Sequence, residues 1–218
     1  MKGSKKWNTN IMYGLAGVIV LLFSVKTFTR VPVWESALSL NKAAVQVSTK
    51  SARSNSFMAT ALFEEFKVTD DRATKLSLLK EAKIYADRAL GVYPTYSNGN
   101  LMKAGIQAEL YKLENDLPAL LKTFTEVGSA QPQLGFLQEY CEYLNGRADG
   151  TQLINFYHDL GYNKLYLKNE YNISNRLNWA IHYLNFGYSL DNNNPKIRKA
   201  LYDIYSAAGN QAKAQEYR

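Results

Sequence analysis

Cysteine is almost missing from this chain: Cys141 is the only one in 218 residues. That excludes an intrachain disulfide and any metal site built on several thiolates. Histidine is nearly as scarce, with His158 and His182 alone and neither in a His-x-x-x-His or Cys-x-x-Cys pattern. Runs of alternating Val, Ile and Thr are few, and the five prolines and thirteen glycines are too sparse to punctuate a sandwich or barrel of many short strands. What is present, 46% apolar and 21% charged residues, is enough to fold around a core and speaks against disorder. The expectation is an all-α chain in which Cys141 is a small buried residue on a helix.

A basic excess over the folded part is also lacking. The net charge is +7, but residues 1–30 hold Lys2, Lys5, Lys6, Lys26 and Arg30 and no acid, leaving 21 basic against 19 acidic residues elsewhere. Without a basic face on the fold, nucleic acid is excluded as the expected partner.

Charge is missing altogether from Trp7 to Val25, and Ile11 to Val25 is almost wholly apolar. At about 1.5 Å per residue the uncharged stretch reaches about 28 Å, close to the thickness of a bilayer's hydrocarbon layer. Lys26 and Arg30 can snorkel at one interface, and Trp7, Tyr13 and Trp34 suit interfacial positions. Ser24-Val25-Lys26-Thr27 offers no Ala-x-Ala cleavage pattern, so residues 1–30 read as an uncleaved anchor, with residues 11–25 in the membrane; a cleaved signal and a buried core helix are the alternatives. Lys2, Lys5 and Lys6 bias the N-terminus to the cytoplasmic side of an inner or plasma membrane, an asymmetry that Lys26 and Arg30 on the other flank weaken. Residues 31–218 then lie outside the cytoplasm, in the periplasm if the source is bacterial. Gly14 and Gly17 are one residue short of a small-xxx-small spacing and read as tolerated glycines.

Residues 31–218 repeat themselves. Ala82, Ala86, Ala89 and Pro94 share their spacing with Leu120, Phe124, Val127 and Pro132, at an offset of 38 residues. A third copy is Ala180, Leu184 and Gly187 with Pro195 late, and a fourth runs from Pro195 through Leu201, Tyr205, Gly209 and Ala214. Small residues let paired helices nest, and a proline stops the second helix. These positions resemble the tetratricopeptide repeat, two antiparallel helices in about 34 residues. The resemblance implies an α-solenoid; an irregular helical bundle is the competing architecture. The spacing predicts helices over 34–48, 52–66, 72–93, 98–112, 116–127, 134–145, 149–167, 174–190 and 195–208. Arg218 falls within the expected second helix of the fourth pair. The chain therefore either docks its last helix on something or continues further.

Arg30-x-Pro32-x-Trp34 and Ser51-Ala52-x-x-Asn55 resemble the junction between the last span and the repeats in multi-span O-mannosyltransferase-like membrane proteins. The resemblance implies extracytoplasmic repeats working alongside a sugar-transferring core. That core is absent here, so no catalytic residue is carried over.

Sites of chemistry are hard to assemble from these residues. His158 and Asp159 are adjacent on a helix and diverge by about 100°. Thr69, Asp70 and Asp71 read as N-cap and dipole partners of the next helix. Glu64-Glu65 lacks the spacing of a calcium loop, and Asn172-Ile173-Ser174 fits a glycosylation acceptor. The expectation is a non-enzymatic module without cofactor or metal that binds a protein partner. Sixteen tyrosines suit such a binding surface. By repeat register its groove is lined by Met102, Lys103, Ile106, Asn155, His158, Tyr162, Lys196 and Lys199.

Overall fold

The structure is a computed structural model and describes residues 9–218. Lys2, Lys5, Lys6 and Trp7, which carry part of the topology argument, lie outside the described residues. Among the described residues every regular element is helical. Helix α1, Thr9–Arg30, is followed by α2 (Ala37–Val47), α3 (Ala52–Val68), α4 (Arg72–Val92), α5 (Ser97–Glu114) and α6 (Leu117–Ala130). Then come α7 (Gly135–Leu144), α8 (Gly150–His158), α9 (Arg176–Leu190), α10 (Pro195–Ala207) and the short α11 (Gln211–Gln215). From Ile11 to Trp34 the chain is long and apolar enough to cross a membrane, and none of that stretch is buried against protein.

The expected helix 34–48 is split. Pro32 opens a 3-10 turn, Val31–Trp34, and α2 starts only after Ser36, which forms a reciprocal capping box with Ser39. The expected helix 149–167 keeps its length but changes its winding: Asp149 caps α8, and Asp159–Lys168 continues it as a π-helix. The helix expected from Ser174 begins at Arg176, because Asn169, Asn172 and Asn175 all take left-handed backbone conformations that asparagine tolerates. Of the residues ahead of α4, Asp71 alone caps it, accepting from the Thr74 amide (2.8 Å) and hydroxyl (2.6 Å). Those two donors hold the Asp71 carboxyl below its usual pKa.

Consecutive helices pack in sequence from α2 to α6 and again through α8, α9, α10 and α11, with further contacts of α3 on α5, α5 on α7, α6 on α8 and α8 on α10. One turn recurs at four helix starts. Backbone N–H groups of Ser51, Tyr96, Leu134 and Asn194 donate to the carbonyls of Ser48, Tyr93, Gln131 and Asp191. Four residues further on, the side chains of Asn55, Asn100, Gln138 and Arg198 donate to carbonyls six residues back, at 2.8, 2.8, 3.4 and 3.4 Å. The turn carbonyls that no backbone amide reaches are satisfied from within the next helix, which fixes its exit angle.

Two hydrophobic cores result. One gathers Val45, Met58, Ala59, Leu62, Leu79, Ala82, Ala86, Ile106 and Leu110; the other runs from Ala104 through Phe124, Leu137, Tyr157, Tyr183 and Ile197 to Ile204. Helix α5 is the seam, with Ile106 in the first core and Ala104 in the second. After α11, Tyr217 packs flat on Tyr205, their planes 5° apart, and edge-on against Tyr188, while Arg198 reaches the Arg218 carbonyl at 2.9 Å. The last residues thus cover part of α10 and α9.

Candidate binding groove

Helices α3, α5 and α7 leave a groove of about 580 Å³ between them. Its apolar floor is Phe63, Phe66, Leu101, Met102 and Phe136, and Gly105 leaves room above α5. Lysines sit over two of the rings, Lys67 Nζ 5.1 Å from the Phe63 centroid and Lys75 Nζ 5.8 Å from that of Phe66. Each carboxylate on the rim has a cation: Glu64 pairs with Lys67 at 2.8 Å and Glu109 with Lys112 at 2.7 Å. From Phe136 the aromatic surface continues along α7 through Tyr140 to Tyr143, with ring centroids 5.7 and 5.3 Å apart. Burial, together with Tyr143 and Glu109 nearby, pushes the Tyr140 hydroxyl up to about 12, so it stays protonated.

The eight residues expected in one groove are divided by the structure among four places. Met102 lines the groove. Lys103 faces the other side of α5, its side chain only 13% exposed, with Nζ 2.8 Å from Asp87 of α4 and 2.7 Å from Glu126 of α6. Burial alone would lower its pKa, but the two carboxylates outweigh that and hold it above the lysine norm. Lys103 ties three helices together. Ile106 is a correction: at 0% exposure it belongs to the first core and cannot touch a partner. On a helix, positions i, i+1 and i+4 fall within about 100° of arc, so the packing of α5 against α4, α6 and the first core, not the periodicity, separates these three side chains.

Asn155, His158, Tyr162, Lys196 and Lys199 belong to α8, its π-helical continuation and α10, and several of them converge. The His158 and Tyr162 rings are 5.4 Å apart. The Tyr162 hydroxyl donates to Asp203 Oδ2 at 2.7 Å, and Lys199 Nζ lies 2.7 Å from the same oxygen. Burial, then the charge of Lys196, lowers the His158 pKa against the opposing pull of Asp159. The side chain of Asn155 is exposed, and no hydrogen bond joins it to this cluster. Asp203 is thus neutralised by Lys199 and hydrogen-bonded by Tyr162.

Register reasoning missed Phe63, Phe66 and Phe136. A signal existed for the last: Phe136, Tyr140 and Tyr143 recur at i, i+4 and i+7, a helical aromatic stripe beyond what α7 needs for Leu137, Cys141 and Leu144. Cys141 is buried, and burial pushes its thiol up to about 12, so it is not a nucleophile at neutral pH. His182, among Trp179, Tyr183 and Phe186, is held below the ordinary histidine pKa by burial. Among the described residues no group of three His, Cys, Asp or Glu side chains is placed to hold a metal ion. The chain matches no protein-family model, and no curated protein is similar enough to it in sequence to count as a relative.

Proposed function

We propose that this chain is a membrane-anchored scaffold of tetratricopeptide type that holds a protein partner outside the cytoplasm and carries no catalytic activity of its own. α1 is the uncleaved anchor with its N-terminus cytoplasmic, and α3 to α11 stack as successive helix pairs. Support for the stacking comes from the recurring helix-opening turn and from the placement of Ala82, Leu120 and Ala180, all fully buried, on α4, α6 and α9. The observation that carries the binding reading is the groove over α3, α5 and α7, whose Phe, Leu and Met side chains form one apolar surface with cations at its edge. Rigid rings with charged rims are the residue types that dominate binding at protein interfaces.

The test is a photo-crosslinking residue placed at Met102, or at the exposed Ile84 on α4 as a control, in the full chain within its native membranes. A discrete adduct from position 102 and none from 84 is expected, and Met102→Glu in the affinity-captured protein should weaken retention of that adduct partner about tenfold or more. Equal labelling from both positions would refute the groove.

A second reading, an accessory or C-terminal portion of an O-mannosyltransferase-like membrane glycosyltransferase, is favoured by one feature. Arg30, Pro32 and Trp34 form the structured turn that joins the apolar helix to α2. Identification of the adduct partner as a multi-span sugar transferase would select that reading over a free-standing scaffold.

A further inference from the structure

The entire net charge of the chain resides in its first quarter. Residues 1–53 hold eight basic residues and one acid, Glu35, whereas residues 54–218 hold eighteen of each sign. Five of the eight, Lys26, Arg30, Lys42, Lys50 and Arg53, follow the uncharged part of α1 and are exposed. Among the described residues none of the five lies within ion-pair distance of a carboxylate. Downstream, six of the eighteen, Lys67, Lys80, Lys83, Lys103, Lys112 and Lys199, do, and the acids there balance the rest in number. Apolar side chains stand among these unpaired cations: Trp34 is 71% and Val47 86% exposed, and the Arg53 guanidinium lies over the Phe57 ring at 5.3 Å.

Position adds to composition. α2 begins at Ala37, seven residues beyond the end of α1, and four of those seven form the compact 3-10 turn. At the reach of an extended chain α2 cannot start more than about 25 Å from the end of α1. A short tether of this kind gives whatever the segment binds at the bilayer a high effective concentration. Cations without partners on a fold that is otherwise neutral, mixed with exposed Trp and Val beside a span, are complementary to an interface that is negative outside and apolar beneath.

We propose that α2 and the start of α3, with Lys42, Lys50 and Arg53, form a collar that binds anionic phospholipid headgroups and so fixes how the helical region stands on the bilayer. The collar rests on the anchor reading of α1. It differs from the groove of α3, α5 and α7, whose rim carboxylates each have a lysine partner.

The full chain in vesicles provides the test. A fluorophore is attached at Val47→Cys in a Cys141→Ala background, and its quenching by a lipid with a nitroxide headgroup is compared in phosphatidylcholine and in phosphatidylcholine with phosphatidylglycerol. Quenching should rise about twofold or more with the anionic lipid and fall back at high salt, where the field is screened. The triple variant K42E/K50E/R53E should abolish the rise, while a label at Gln211→Cys on α11 should not respond to lipid charge. Equal quenching in the two lipids, as expected if the collar serves an acidic protein surface instead, or a rise that survives the triple variant, overturns the proposal. The anchor reading fails by a separate sign: the chain would then not float with either kind of vesicle after an alkaline wash.

Discussion

Between α2 and α5 the helices meet over Ala59, Ala82 and Ala86, whereas from α6 to α10 they meet over Phe124, Tyr157 and Tyr183. In the first region these alanines stand beside aliphatic residues, Met58, Leu62, Leu79, Ile106 and Leu110, whereas the fully buried rings Phe124, Tyr157 and Tyr183 belong to the second. In the second, rings fill the core, and glycines sit where a neighbouring helix comes close, Gly161 against backbone and Gly128 against a side chain. A Cβ on Gly161 would lie 2.9 Å from the Ala180 carbonyl oxygen, and one on Gly128 would lie 2.7 Å from Leu160 Cδ2. Rings also bring polar atoms inside. The Tyr183 hydroxyl donates to the Pro132 carbonyl at 2.8 Å, and Tyr157 donates to Asn145 Oδ1 at 2.8 Å. Small residues make a core that depends on many modest contacts; rings make one that depends on a few large ones.

The comparison can be broken most forcefully at Tyr183. Tyr183→Ala empties a fully buried site and leaves the Pro132 carbonyl with only the longer bond from Gln138, and should cost about 3–5 kcal/mol in denaturant unfolding. Amide exchange should accelerate in α9 and α10 far more than in α3 and α4; uniform acceleration would mean that the two cores are one cooperative unit.

A smaller contrast sets Gly161→Ala against Ala82→Gly. The first forces a methyl group against a backbone carbonyl and should cost about 1–3 kcal/mol. The second removes a methyl group and loosens a helix interior, for about 1 kcal/mol. If Ala82→Gly proves the more damaging, the reading of tolerant small-residue packing on the α4 side is wrong.

The smallest effect is a pH dependence. Both histidines of the chain, His158 and His182, belong to the second region, and burial lowers the pKa of each below 6.5. The folded state therefore binds these protons less readily than the unfolded chain. Their contribution is fully present above pH 6.5 and is lost as the pH falls from there toward the folded values. Exchange protection in α9 should weaken between pH 7 and pH 5 while that in α4 stays level, and His182→Phe should reduce the slope. Below about pH 3.8 both regions lose stability, because Asp87 and Asp203 have lowered pKa values in the fold.

Much of this architecture was legible in the sequence because it depends on local rules. The apolar run of α1, the capping by Asp71 and the stops near Pro94 and Pro132 follow from hydropathy, hydrogen-bonding capacity and the missing proline N–H. The binding surface was less legible. Register counting found Met102 but assigned Lys103 and Ile106 to the same face, because which side of α5 meets α4, α6 or solvent depends on crossing geometry. Phe63 and Phe66 are apolar residues on a helix like many others, and only the placement of α5 and α7 leaves them lining an open groove.

By itself, the sequence determined the helical class, the apolar first helix, the positions of the turns and the confinement of net charge to the first 53 residues. Each of these is a property of composition or of neighbours within a few residues. The tertiary structure decided that the helix expected over 149–167 is π-wound between Asp159 and Lys168, that Lys103 bridges Asp87 and Glu126, and that α5 divides two cores. Those outcomes depend on the fit of whole helix surfaces against one another, and a single residue or ring shifts that fit without changing the pattern along the chain.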